Sequence, residues 1–294
     1  MAAAWSFSVA VFRPSWQQAR GMATLKEISL RLKSIKNIQK ITKSMKMVAA
    51  SKFGRAEREL RIARPYGSAA SKLLESTELE SDENKENHLV VAVSSDRGLC
   101  GGVHSSIAKV IKQAIADNPS NRNYRVVCVG DKVRTILQRQ YSENILLSMA
   151  DVGRKMPTFV DASFLVQEIY NSGYEFQSAE VIYNRFVSVM SYKNTIQKVS
   201  SLDSLTNSDT MYVYDDIDPE LLQMYHQYTL ANLIYYAMME GACSEHSSRM
   251  MAMDSASKNA GEMIDKLTLT FNRKRQDVIT RELIEIISGA AALE

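Results

Sequence analysis

The chain has 294 residues, 45% of them hydrophobic, and a formal net charge of +3, which suffices for one large or two small folded domains. Its longest apolar block, 230–239 with Asn232 inside it, is too short to cross a bilayer, so no transmembrane segment is expected and any membrane link runs through partners. Cys100, Cys128 and Cys243 are few, odd in number and far apart, which points to a reducing compartment and away from a disulfide framework or a zinc site.

Residues 1–22 contain Arg13 and Arg20, bulky Trp5, Phe7, Phe12 and Trp16, and no acidic residue; the first is Glu27. That is the composition of a mitochondrial presequence, with cleavage expected near Met22 or Ala23. From Thr24 the pattern becomes helical: Leu25, Ile28, Leu32, Ile35, Ile38, Ile41, Met45 and Val48 step by three or four, with no Gly or Pro between Met22 and Lys52. A helix is assigned to 23–75, with a kink or break expected over Pro65 to Gly67. Lys33, Lys36, Lys40 and Lys43, joined by Lys26, Arg31 and Lys46, form a second stripe opposed only by Glu27. Such a stripe is either a solvated lysine face or the mate of an acidic neighbour. Residues 76–87 are polar and acidic and read as a linker.

Over 88–205 the period changes. Leu89 to Val93 reads as a strand, Ile107 to Ile115 as a helix and Arg125 to Val129 as a second strand, which together make a βαβ unit and imply a parallel sheet. A helix over 132–139, a strand over 145–148 and a helix over 159–170 follow. A hairpin of 181–190 and 195–200, turning at Lys193 and Asn194, closes the sheet edge. After a linker at 206–217, Asp218, Pro219 and Glu220 form a helix entry signal. The segment 218–292 then reads as one helix, whose ~70 residues would span on the order of 100 Å. Its seam runs through Met253, Ala256, Ala260, Met263, Leu267 and Thr270, and resumes at Ile279, Leu283, Ile286 and Ala290. Narrow and one-sided, with small residues at Ala256 and Ala260, it calls for an antiparallel helix partner, which the N-terminal helix supplies. The fold class is α/β: a long antiparallel coiled coil of N- and C-terminal helices with an inserted α/β domain.

No self-sufficient active site emerges. The loop Asp96-Arg97-Gly98-Leu99-Cys100-Gly101-Gly102 follows a strand and could cradle phosphate, yet it matches neither the dinucleotide fingerprint nor the P-loop, so a structural turn is expected. Cys100 stands near a helix start where a thiolate would be stabilised, but no base accompanies it in the sequence. His88, His104, His226 and His246 do not pair at ligand spacing. Asp215, Asp216 and Asp218 are better explained by capping and a solvated loop than by a cation. No cofactor, catalytic residue or metal ligand is expected.

Four segments carry a resemblance: Ala23-Thr24-Leu25-Lys26-Glu27-Ile28, the run Ile38 to Lys52, the loop Ser94 to Gly102, and the ending Asn272 to Ala292. The chain resembles the gamma subunits of mitochondrial ATP synthase over essentially all of its length after residue 22. The resemblance implies a shaft inside a ring of alternating alpha and beta subunits, with a Rossmann-like foot on the membrane c-ring beside the delta and epsilon subunits. It also implies a place at the mitochondrial inner membrane, peripheral on the matrix side. By the family's motif, Arg275 and Gln276 grip a beta-subunit loop, Met45 with Lys43 and Lys46 faces the acidic lever loops of beta, and Thr280 and Glu282 belong to the same rotor-stator contact. The chain departs from the pattern of animal members at Lys155-Met156-Pro157 and at His246. Two other classes compete: a nucleotide-using α/β enzyme, which lacks its phosphate motif, and a basic coiled-coil nucleic-acid binder, whose basic block should precede the seam rather than run along it. No nucleic-acid partner is expected.

Overall fold

The structure is a computed structural model and describes residues 24–76, 87–117, 123–200 and 218–292, the side chains of 70–76 and 200 excepted. The expected presequence and its cleavage site, the linker over 77–86, and the linker at 206–217 with Asp215 and Asp216 lie outside them. The described chain runs α1 (Leu25–Ser76), β1 (Asn87–Val93), α2 (Val103–Ala116), β2 (Asn123–Val129), α3 (Asp131–Tyr141), β3 (Ile145–Met149), α4 (Phe159–Asn171), β4 (Ser178–Ser188), β5 (Ser191–Ser200) and α5 (Pro219–Ala291). It divides into two compact units, one of Ile38–Ala260 and one of Met1–Asn37 with Gly261–Glu294.

The first unit is built on a five-stranded sheet of order β3-β2-β1-β4-β5. β1 pairs in parallel with β2 and β4, β2 with β3, and only β4 and β5 are antiparallel. β1 is buried on both faces, which is why its sequence is a continuous apolar run rather than an alternating one. Leu89, Val91 and Val93 pack with Val127, Val129 and Val181 against α4 and against Leu230, Leu233, Ile234, Ala237 and Met238 of α5. On the opposite face Val90, Ala92, Val126 and Cys128 meet α2 and α3. The apolar block of α5, too short for a membrane, is therefore a layer of the sheet's own core. The β4–β5 turn lies at Val189 and Met190, with Ser188 paired to Ser191, and not at Lys193 and Asn194 as expected. Those two residues pair with Arg185 and Asn184 inside the ladder, because the second strand already begins at Ser191.

α1 and α5 are antiparallel in this unit: Lys46 meets Asp254, Arg64 meets Glu240, and Gly67 lies under the ring of Tyr236. Phe53, Ala56, Leu60 and Ala63 bury against Met239 and Cys243. α1 is not broken at Pro65; it continues to Ser76. Proline costs the helix one amide bond to the carbonyl of Arg61, and both residues are exposed, so water can replace it.

The buried face also corrects the seam. Ile28 and Ile35 lie in it as expected, but Thr42 and Ala49 follow, with half-buried Gln39 and Lys46 between them, while Ile38, Ile41 and Val48 are exposed. On α5 the seam is Met253, Ser257, Ala260, Ile264, Leu267, Phe271 and Val278, so Met263, Thr270 and Ile279 fall outside it. In the second unit, Ile28 and Ile35 are covered by α5, the other described element there. Burial on α5 stops at Val278, and Ile279, Leu283, Ile286 and Ala290 have no cover among the described residues. α1 starts at Leu25, behind a capping box in which Thr24 N–H donates to Glu27 Oε2 at 2.8 Å and Glu27 N–H donates to Thr24 Oγ1 at 3.3 Å.

Candidate functional site

The residues expected to touch other subunits fall in both units. Lys43 is exposed, Met45 half-buried, and Lys46 donates to Asp254 Oδ1 at 2.6 Å. Asp254 also receives Lys258 at 3.0 Å, and the two hydrogen bonds hold its carboxyl below the usual carboxylate range. Lys46 thus braces α1 against α5, whereas Lys33, Lys36, Lys40 and Lys43 have no carboxylate partner among the described residues. Each of these four follows a seam residue directly, so the stripe runs along one edge of the seam. Arg275, Gln276, Thr280 and Glu282 are exposed on α5 in the second unit; the first two precede the last half-buried position, Val278, and the other two follow it.

The glycine loop lies at the carboxyl end of β1, where the chain, having run outward through β2 and β3, returns to β4 on the other side. In open α/β sheets that reversal opens a crevice for ligands. Here α5 takes hold of both margins. Arg249 donates to the carbonyls of Gly98 at 3.3 Å and Arg97 at 3.4 Å, Ser248 Oγ to that of Cys100 at 2.6 Å, and Ser244 Oγ to that of Asn184 on β4 at 2.9 Å. The loop turns with Leu99 at φ 63° and Gly101 at φ 66°, and the carbonyls of Arg97, Gly98 and Cys100 accept from α5. The amide of Asp131 at the start of α3, which would otherwise attract an anion, is taken by Asp96 Oδ1 at 2.6 Å. The loop is a socket for α5, in agreement with its mismatch to phosphate motifs.

Cys100 does have a neighbour that the sequence reading missed. His104 Nε2 lies 3.1 Å from its Sγ, four residues on at the start of α2. The same nitrogen is 2.9 Å from the Arg97 carbonyl, so it carries the proton and donates there. Burial pushes the Cys100 thiol up to about 11, with the Glu245 charge adding to it, and burial lowers His104. A neutral thiol beside a donating, neutral imidazole is packing rather than a nucleophile with its base. Among the described residues no His, Cys, Asp and Glu group could hold a metal ion. None of their helices is long and apolar enough to cross a membrane.

A second buried cluster locks the helix pair to the sheet. Glu240 accepts from Arg64 Nε at 3.0 Å, Tyr236 Oη at 3.0 Å and the Phe186 amide of β4 at 2.8 Å, while Arg64 Nη2 donates to the Phe186 carbonyl at 3.0 Å. Burial alone would lower Arg64, but the bond and charge of Glu240 outweigh it and hold the guanidinium above its ordinary value.

A sequence profile of the ATP synthase family matches residues 24–293. The mitochondrial ATP synthase gamma subunit of Drosophila melanogaster is 57% identical over 278 residues, covering 94% of this chain and 93% of the relative. The chain belongs to the gamma-subunit family of mitochondrial ATP synthase. The rat gamma subunit agrees, at 56% identity over 92% of this chain and 100% of its own. A cryo-EM structure of the central stalk and c-ring of Tetrahymena thermophila mitochondrial ATP synthase superposes with a TM-score of 0.63 at 28% identity, covering 74% of this chain and 99% of that one. A chain of the Euglena gracilis enzyme, at 18% identity and TM-score 0.76, covers 92% of this chain and shares the fold. Lys155, Met156, Pro157 and His246 all line one cavity beside α1.

Proposed function

We propose that this chain is the central-stalk rotor of mitochondrial ATP synthase, a peripheral subunit on the matrix side of the inner membrane, imported through residues 1–22. α1 and α5 serve as the shaft within a ring of alternating alpha and beta subunits. The α/β domain, 88–205 joined by linkers at 76–87 and 206–217, serves as the foot on the c-ring beside the delta and epsilon subunits. The shaft has no active site of its own; it couples proton flow to ATP synthesis by touching each beta subunit differently at each angle, so that its orientation biases their conformations and theirs bias it. Arg275, Gln276, Thr280 and Glu282 on α5, with Lys43, Met45 and Lys46 on α1, form the rotor-stator contact.

The observation that carries this reading is the division of labour along α5. Residues 230–238 complete the core of the sheet, while Ile279, Leu283, Ile284, Ile286 and Ile287 stand more than half exposed on the same helix. An uncovered apolar helix of this kind needs a surrounding partner. Purifying the tagged chain from mitochondria tests the assignment: alpha, beta, delta, epsilon and the c-ring should accompany it in an ATP-hydrolysing particle. Recovery without alpha and beta overturns it.

A further inference from the structure

Within the unit Ile38–Ala260, α1, the loop after β3 and α5 line a half-open cavity of about 690 Å³. Four cations line it, Lys52, Arg55, Arg154 and Lys155, against one carboxylate, Glu59. Glu59 is engaged by Arg55 at 3.0 Å, and Arg154 has only the exposed Asp151, at 3.5 Å, among the described residues. Lys52 and Lys155 have no carboxylate partner among the described residues, and Lys52 is half-buried, so part of its hydration is already lost without compensation. At the back of the cavity His246 accepts from Arg249 through Nδ1 at 3.1 Å, which places its proton on Nε2 as a donor with no partner among the described residues. Phe159 and Tyr235, with ring centroids 6.1 Å apart, supply aromatic walls.

The loop that presents Arg154 and Lys155 is held in place. Asp151 and Gly153 have φ values of 63° and 91°, the Asp96 amide donates to the Val152 carbonyl at 3.1 Å, and Thr158 closes the far end with a capping box to Asp161. A site whose cations are fixed before binding loses less entropy when it is filled.

We propose that this cavity binds an oligophosphate anion of nucleotide size. The volume lies within the range of small-molecule pockets, on the order of 300–1,000 Å³. The two guanidinium forks suit phosphate oxygens, and the aromatic walls beside them suit a base. The site is independent of the rotor assignment, since it uses none of the residues of the rotor-stator contact.

Calorimetric titration of the full chain with sodium tripolyphosphate at about 0.15 M salt should give saturable one-to-one binding. ATP in place of tripolyphosphate should bind at least as tightly if the base uses the aromatic walls, and adenosine should not bind. Tripolyphosphate binding without ATP binding retains the oligophosphate chemistry and identifies free oligophosphate as its source. Arg154→Glu with Lys155→Glu should weaken binding at least tenfold, whereas Lys109→Glu with Lys112→Glu on α2 should leave it unchanged. An independent readout is amine labelling of the wild-type chain followed by mass spectrometry, in which tripolyphosphate should protect Lys52 and Lys155 but not Lys109. The proposal is overturned by absence of saturable binding, by equal weakening in the α2 variant, by uniform lysine protection, or by a hexaglutamate peptide that competes as well as tripolyphosphate.

Discussion

Glu240 has no exposed surface, yet it reaches the half-exposed Arg64 at 3.0 Å across the helix pair. Its second oxygen accepts the Phe186 amide, so one carboxylate ties α1, α5 and β4 together. Breaking a buried pair from one side leaves the other polar groups uncompensated, at about 3–5 kcal/mol. Arg64→Ala should lower the unfolding free energy of the purified chain by that order, because it leaves the buried Glu240 carboxylate with the Tyr236 hydroxyl and the Phe186 amide but without its ion partner; Glu240→Ala should cost less, because the Arg64 left behind keeps access to water. Equal stability of Arg64→Ala and wild type would show that the latch contributes nothing.

Gly67 makes a sharper test of how closely the helices approach. A Cβ added there would lie 2.4 to 2.7 Å from ring carbons of Tyr236, a distance that requires the ring or a helix to shift. Overpacking of this kind costs about 1–3 kcal/mol. Gly67→Ala should therefore destabilise despite its gain in helix propensity, and Gly54→Ala, with nothing within 4 Å, should not. Thermal unfolding of the two variants side by side decides it, and a stabilised Gly67→Ala would contradict the packing.

The class of the fold, the parallel order of β1 and β2 and the pairing of the two terminal helices could be read from periodicity, because each depends on a long, regular pattern. The phase of the coiled coil could not. From Ile38 onward the bulkiest residues, Ile38, Ile41 and Val48, sit one place before the buried positions, and the seam is filled by Thr42 and Ala49 with half-buried Gln39 and Lys46 between them. A search for large apolar residues at spacings of three and four follows the wrong edge. The constant spacing of small residues at Ala49, Ala56 and Ala63 was the available signal. The helix-to-loop bonds of Arg249 and Ser248 join residues about 150 positions apart and leave no local mark. Nor does the Cys100–His104 contact, beyond its spacing of four. The corrected phase predicts that Val48→Ala is within about 0.5 kcal/mol of wild type, as for exposed sites, and that Ala49→Leu destabilises by about 1–3 kcal/mol; equal effects in chemical denaturation would restore the seam through Val48.

His246 gives the helix-to-loop contact a pH dependence. Burial depresses it to about 4, Glu245 opposing and Arg249, Lys52 and Arg97 adding to the depression. The unfolded imidazole titrates near 6.5, so below that value the unfolded chain binds a proton that the folded chain refuses. Stability from this group is full above about pH 6.5 and falls as pH drops towards 4, by on the order of 3 kcal/mol at most. His246→Gln should flatten that part of the stability profile while leaving neutral-pH behaviour nearly unchanged. An identical slope between pH 6.5 and 4 in both proteins would assign the loss to carboxylates elsewhere.

The proposed rotor-stator contact makes its strongest demand on Arg275 and Gln276. Both are exposed near the point where α5 outruns its cover, so neither is required for the fold, and truncating them should leave stability within about 0.5 kcal/mol of wild type. A guanidinium makes directional, paired bonds to carboxylate or carbonyl groups that an exposed lysine does not reproduce. Single exposed ion pairs contribute only about 0–1 kcal/mol and are screened by salt, so Lys36→Ala alone should change little. Arg275→Ala with Gln276→Ala should lower both ATP hydrolysis and synthesis in reconstituted complexes in which the subunit stoichiometry is intact, because a weakened contact transmits less of the angle-dependent bias in either direction. Lysine at 275 should recover only part of the rate. The prediction fails if the double variant turns over at wild-type rates, or if its slow turnover is accounted for by loss of the gamma subunit from the particle.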